Sequence, residues 1–519
     1  MKRRNFIKAA GAAASVPMIL NGMKLSAMPN SSLASLINND SDKVLVLIQL
    51  NGGNDGINMV IPRDKYDTLA IVRSNILLPE NSILELTDTV GLHPVMQGVQ
   101  NMYKDGQVSI LQSVGYPNQN RSHFRSMDIW SSGSPADEVW NEGWLGRYFD
   151  TLHPTFPTDY PNSDFPDPFA ITMGNVVSET CQGVGANFSL TLSDPFSLAP
   201  LTEGEPGEIP DTPYGDELSF LRVTIKQANK YGERITAVAQ VGKNQVPYPE
   251  NNGLGEQLKN VALLISGGLK TKIYIVNIGG FDTHANQVVE GDPTTGEHAA
   301  LMETLSEAMT AFQKDLDAQG LSERVVGMTF SEFGRRIKSN DSFGTDHGTA
   351  SPMIVFGSCV NPTVFGDSPD IPADVDNSEG LPMQNDFRDI YGSLLMDWFE
   401  VKENDVKTLL HPDFQYIPII QSCSVTSTRP VLTNDQPIAL FNYPNPFRSW
   451  TTISFKSENE WAKLSIFNAM GAELKVLLNQ RLQAGEHEVR FDAGNLPPGS
   501  YYYRLQLKGR QKTSRMVKM

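Results

Sequence analysis

Nearly unbroken apolarity in the run VLVLIQL, positions 44–50, limits most strongly what this chain can fold into. A strand with one wet face alternates polar and apolar residues. This one does not, so it belongs in a sheet covered on both sides. Similar runs stand at 108–114, 169–173, 272–278, 324–330 and 353–356. Helical periods fit the segments 122–131, 217–241, 257–266, 297–318 and 387–399. Alternation of this kind predicts an α/β domain over residues 41–423, with a mostly parallel sheet between two helical layers. The stretch 151–216 is rich in Pro, Asp, Ser and Thr and has few periodic segments. It reads as long loops or an insertion over the sheet edge.

Polar residues cluster just past the ends of these runs, where open α/β sheets place their sites. After 44–50 comes NGGNDG. Its small residues let the backbone turn tightly, and Asp55 is either a site carboxylate or the cap of an Asx turn. After 108–114 comes GYPNQNRSHFRSMDIW, with Ser122 at a helix start. There a hydroxyl meets free N–H groups and the helix dipole, as a nucleophile or as an ordinary N-cap. His123 reads equally as a ligand or acid and as a structural histidine. After 272–278 comes GGFDTHANQ, in which Asp282 and His284 are close enough to share one metal. His298 then opens the next helix. The connection FSEFGRRIKSNDSFGTDHGTASPMIVFG, 330–357, carries Glu332, Asp346 and His347. Carboxylates and imidazoles are the side chains that hold divalent metals. A single Asp-x-His is a weak signal, but several clusters, each after a strand, are a stronger one.

At 519 residues the chain exceeds one ordinary domain, and 40% hydrophobic residues support a sizeable core. The net charge of −17 argues against a nucleic-acid partner, which needs a basic face. Cys181, Cys359 and Cys423 are odd in number and far apart, and read as buried thiols rather than a disulfide framework. The N-terminus, MKRRNFIKAAGAAASVPMILNG, has a basic head and a weakly apolar run too short for a stable membrane anchor. Residues 1–30 read as a cleavable export signal, and Arg3-Arg4-Asn5-Phe6-Ile7-Lys8 resembles the twin-arginine type. No permanent transmembrane helix is expected. Residues 424–437 form a polar, Pro-containing linker. Beyond it, short alternating runs at 452–456, 463–467, 473–478, 488–491 and 501–507 predict a small all-β sandwich over 438–519. The segments FNYPNPF, IFNAMGAEL and LPPGSYYYRL, with a basic tail at 512–518, resemble the C-terminal sorting domain of the type IX secretion system. That resemblance implies a Bacteroidetes-type cell and passage through the periplasm. It also implies export-machinery partners and a final place outside the cell or on the outer-membrane surface.

The motifs LNGGNDGINMVIP, LHP, NRSHFRSMDIW, GWLGRYFD, GGFDTHANQ, SEFGRR and GTDHGTASPMIVFG occur in this order between positions 44 and 357. Together they resemble the domain of unknown function 1501 family, which lies in the alkaline phosphatase and sulfatase superfamily. The resemblance implies an alkaline phosphatase-like α/β/α fold and a site with two divalent ions, whether zinc, calcium, magnesium or manganese. Asp55 would bridge the two ions. Asp346 and His347 would hold one, Asp282 and His284 the other, and Glu332 would add a carboxylate. The superfamily usually spaces the second pair as DxxxH, whereas here the residue four after Asp282 is Asn286. The remaining ligand would be His298, His123 or His411. Ser122 would be the nucleophile, beside His123, and Arg121 or Arg125 would grip the anion. The implied activity is hydrolysis of a phosphate or sulfate ester. Two other roles stay open: a non-catalytic, metal-stabilised surface protein, and a glycan- or partner-binding component that uses the loops of 151–216.

Overall fold

Period-two burial in one central strand divides the core of the α/β unit in two. Within β1 (Val44–Asn51), Val44, Val46, Ile48 and Leu50 join one apolar cluster, and Leu45 and Leu47 join the other. Full burial of an aliphatic side chain contributes about 1.5–3 kcal/mol, so both faces stabilise the strand. The computed structural model describes residues 42–202, 209–421 and most of 440–518, with two short strands at Met18–Leu20 and Met23–Leu25. Arg3-Arg4 and the expected linker lie outside the described residues. Among the described residues no helix is long and apolar enough to cross a membrane.

Eight further strands complete the sheet: β2 (Val108–Gly115), β3 (Ala170–Met173), β4 (Ser189–Leu192), β5 (Ile273–Gly279), β6 (Val325–Phe330), β7 (Ser351–Phe356), β8 (Val364–Phe365) and β9 (Asn385–Asp386). Their spatial order is β8-β2-β7-β6-β1-β5-β3-β4, with β9 also beside β2. Strands β6, β1, β5, β3 and β4 are parallel, as expected from buried runs. Strand β7 is the exception and pairs antiparallel with both β6 and β2. No helix separates β6 from β7, and a parallel pair needs a crossover, so the loop 331–350 turns back at the same sheet end. One cluster packs helices α5 (Gly253–Ser266) and α6 (Glu297–Gln319), together with α1 (Gln97–Lys104) and the end of α4 (Pro213–Val241). The other packs α2 (His123–Ser132), α3 (Trp144–Leu152) and α7 (Phe387–Phe399). The segment 151–216 is largely loop, but β3 and β4 within it form the sheet edge.

The cysteines correct one expectation. Cys181 is a buried free thiol, whereas Cys359 is disulfide-bonded. A disulfide is at home in an oxidising, extracytoplasmic setting.

The chain divides into two units, residues 1–425 and 426–519. The second unit is two antiparallel sheets. One holds β10 (Leu440–Tyr443), β11 (Trp450–Ser457) and β14 (Gly485–Asp492). The other holds β12 (Glu460–Phe467), β13 (Glu473–Leu482), β15 (Gly499–Leu507) and β16 (Arg510–Lys518). Ile453, Phe455, Leu464, Ile466, Tyr503 and Met516 share its core. The basic tail is therefore strand β16, with Met516 turned inward.

Parallel pairing brings the C-terminal ends of β1, β5 and β6 to one sheet end, together with the start of β7. The backbones come close at Gly52, whose φ is +124° and whose added Cβ would stand 2.3 Å from the Asp282 backbone nitrogen. Only glycine fits there. Gly52→Ala is expected to cost about 1–3 kcal/mol of stability, which chemical denaturation checks.

Candidate metal centre

Three histidines turn one edge each toward a single carboxylate. Asp282, on the loop after β5, places Oδ1 3.0 Å from His347 Nε2 and 3.1 Å from His284 Nε2. Its Oδ2 lies 3.4 Å from His123 Nε2. The two Nε2 atoms of His284 and His347 are 3.0 Å apart.

The opposite ring nitrogens decide the tautomers. His347 Nδ1 is 2.9 Å from the Arg121 carbonyl oxygen, which can only accept, so Nδ1 carries the proton. His284 Nδ1 is 2.9 Å from Asp346 Oδ1, and His123 Nδ1 is 2.9 Å from Glu332 Oε1. Carboxylates also accept. In the neutral imidazoles all three Nε2 atoms therefore present lone pairs to an anionic oxygen. Lone pairs and a carboxylate at such distances repel unless a cation lies among them. A divalent ion with ligands at ~2.1 Å has ligand–ligand edges of roughly 3.4 Å in tetrahedral geometry, close to the separations here. Each imidazole is also oriented by an acceptor behind it, as metal-binding histidines commonly are. His123, Asp282 and His347 are the mutually close donors, within 4.8 Å of one another, and His284 extends them. The donor set therefore fits a divalent metal.

The charge states agree. Burial works to raise the Asp282 carboxyl, but the Arg335 guanidinium and His347 outweigh it and hold it at about 2. Burial likewise opposes ionisation of Asp346, and the bonds from His284 and the charge of Arg336 overcome it, leaving its pKa low. Burial lowers His347, which favours its neutral form. Glu332 is nearly buried and accepts from Gly52 N–H at 2.8 Å as well as from His123. A cavity of about 350 Å³ beside it is lined by Asn51, Gly52, His123, Phe124, Met127 and Glu332.

The structure thus gathers His123, Asp282, His284, Glu332, Asp346 and His347, and separates other candidates from them. Asp55, expected to bridge two ions, is fully buried and paired through both oxygens with Arg73, at 3.2 and 2.9 Å. His298 is buried with Nε2 2.9 Å from Asn54 Oδ1, and burial lowers its pKa to about 4. His411 pairs with Asp389. Of the three histidines considered for the remaining position, His123 is the one that lies beside Asp282. Ser122 is exposed at the N-cap position of α2, and its side chain makes no cap hydrogen bond. Arg121 donates to the Ser378 carbonyl, and Arg125 to the carbonyls of Pro135, Ala136 and Glu138. Each of these bonds uses one Nη atom, and Arg125 Nη1 is buried without a hydrogen-bond partner among the described residues. Arg335, given no role from the sequence, donates to Asp282 and to four backbone carbonyls. Its only sequence signal was its place in SEFGRR.

With this geometry in hand, comparison with known proteins adds the following. Residues 263–398 match the family described as "Protein of unknown function (DUF1501)", and residues 442–519 match the "Secretion system C-terminal sorting domain". No curated protein matches the sequence. Among solved structures, latent PorU from Porphyromonas gingivalis aligns at 17% identity and a TM-score of 0.15, over 17% of this chain and 10% of that one. The present chain thus spans about a tenth of PorU. A protein in the alkaline phosphatase superfamily from Vibrio parahaemolyticus aligns at 8% identity and a TM-score of 0.30, over 85% of this chain and 82% of that one. PsFucS1 sulfatase from Pseudoalteromonas sp. aligns at 10% identity and a TM-score of 0.30, over 90% and 89%. The chain carries a DUF1501 domain over residues 263–398 and a type IX C-terminal sorting domain over residues 442–519, and the latter marks it for the cell surface or the extracellular space.

Proposed function

We propose that this chain is an exported, metal-dependent hydrolase of phosphate or sulfate esters. The observation that carries this reading is the convergence of three imidazole Nε2 atoms on the Asp282 carboxylate, each ring held by an acceptor at its Nδ1. His123, Asp282 and His347, with His284 at their edge, would hold a divalent ion, which supplies Lewis-acid polarisation of an ester oxygen.

The rest is done by the chain. Ser122, adjacent to the ligand His123, opens α2, where the first-turn N–H groups and the helix dipole favour negative charge on Oγ and on a bound ester. Its Oγ is not engaged in capping the helix, so it can act as the nucleophile. In the step proposed, Ser122 Oγ bonds to phosphorus or sulfur. The bond to the ester oxygen breaks, and the alcohol leaves with the proton that serine gives up. Water then cleaves the seryl ester. Glu332 Oε1 keeps His123 in register by accepting its Nδ1–H. The adjoining cavity, with Phe124 and Met127 in its wall, would receive the uncharged part of the substrate. The Arg3-Arg4 segment would serve as a twin-arginine signal, delivering the domain folded and loaded before passage across the outer membrane.

One observation favours a non-catalytic, metal-stabilised role: Arg121 and Arg125 each direct one Nη to backbone carbonyls. Two expected outcomes separate the readings. The full-length protein, purified folded without chelator, should contain a divalent metal by elemental mass spectrometry, lost in Asp282→Ala/His347→Ala; a folded sample without metal overturns the hydrolase reading. Ser122→Ala should keep the metal and lower kcat for an aryl phosphate or sulfate by about 100-fold or more. Metal retained without turnover in the parent protein would favour the structural role.

A further inference from the structure

We infer that the centre takes a single ion, because the guanidinium of Arg73 permanently occupies the cation position on Asp55 that a second ion would need. The inference builds on the metal-binding reading above and concerns a different set of residues.

Asp55 and Arg73 are 0% and 1% exposed. Arg73 Nη1 reaches both Asp55 oxygens, Nε donates to the Ile337 carbonyl at 2.9 Å, and Nη2 donates to the Arg336 carbonyl at 2.9 Å. A carboxylate and two carbonyls are the hard oxygen donors that magnesium, calcium or manganese would take. All of them face a guanidinium instead. The remaining capacity of Asp55 Oδ2 is met by Gln287 Nε2 at 2.6 Å. Adding a divalent ion to the same pocket would set it against a buried positive charge in a medium of low dielectric, which is strongly repulsive.

The consequence for the ligand loops is direct. Gln287 Oε1 accepts from the hydroxyls of Thr283, at 3.1 Å, and Thr345, at 2.7 Å. Thr283 lies between Asp282 and His284, and Thr345 immediately precedes Asp346. Arg73 also grips the backbone at Arg336, whose side chain bonds Asp346 at 3.2 Å. Asp55, Arg73 and Gln287 therefore position both ligand-bearing loops. They do so with a cation that neither dissociates nor yields to a chelator.

Metal stoichiometry tests this on the full-length protein. About one ion per folded chain is expected; about two overturn the inference while leaving the hydrolase reading intact. A chain with none overturns both. Asp55→Asn should keep the parent metal count despite lower stability, and loss of an equivalent there would make Asp55 a ligand and end the argument. Arg73→Ala vacates the oxygen cage. It should gain a second equivalent of calcium, magnesium or manganese, and its melting temperature should rise on adding that ion more than the parent's does. A folded Arg73→Ala that gains no ion overturns the claim that the guanidinium stands in for one. Should Arg73→Ala not fold even with added ion, the parent and Asp55→Asn counts decide the matter.

Discussion

One buried guanidinium ties together the loops from which the site is built. Arg335 donates to the carbonyls of Gly52 and Gly53 after β1, of Phe281 after β5, and of Thr345 before the Asp346-His347 pair, and it also meets the Asp282 carboxylate. A loop backbone that leaves a sheet and dives inward carries carbonyls without ladder partners, and each would cost about 1–3 kcal/mol if left unsatisfied. Arg335 satisfies four of them and neutralises part of the charge on Asp282. With that knot tied, Gly52 can approach Asp282 closely enough that no Cβ fits, and Asp282 stands within reach of three imidazoles.

The sheet prepares this arrangement. Parallel β1, β5 and β6 send their C-terminal ends to the same side, and β7 starts from it, so four strand ends meet in one region. Charge is then distributed in two layers. Inside, Asp55 is neutralised by Arg73 and the pair is sealed from water. Outside, Asp282 and Asp346 remain partly exposed and keep their negative charge, beside His347, whose burial favours its neutral form. The inner pair gives rigidity, and the outer group has unshared lone pairs. An inner carboxylate without Arg73 would compete with the outer one for cations, and the two would then be hard to keep distinct.

Much of this was legible in the residues. The strands at 44–50, 108–114, 272–278 and 324–330 and the helices at 122–131, 297–318 and 387–399 appear within a few residues of where periodicity placed them, because burial on one or two faces writes its period directly into the side chains. Strand β4 was missed because four residues with half-buried middle positions leave no period to detect. The direction of β7 was missed because a buried strand reads the same in either orientation. The last strand, β16, was taken for a basic tail because its lysines and arginines outnumber the inward apolar positions that make it a strand.

The sequence by itself determined the layered α/β fold and the separate β-rich C-terminal unit, which follow from local composition and spacing, while the export address follows from the resemblance of its C-terminal motifs to a sorting domain. Only the tertiary structure decided which candidates meet. Asp55 and His298 carry the same chemistry as Asp282 and His123, yet Asp55 is buried against Arg73 and His298 against Asn54, whereas Asp282 is partly exposed and His123 lines a cavity. A residue's chemistry is a property of its side chain. Whether its polar atoms are already engaged depends on partners such as Arg73 or Asn54, whose proximity is created by folding.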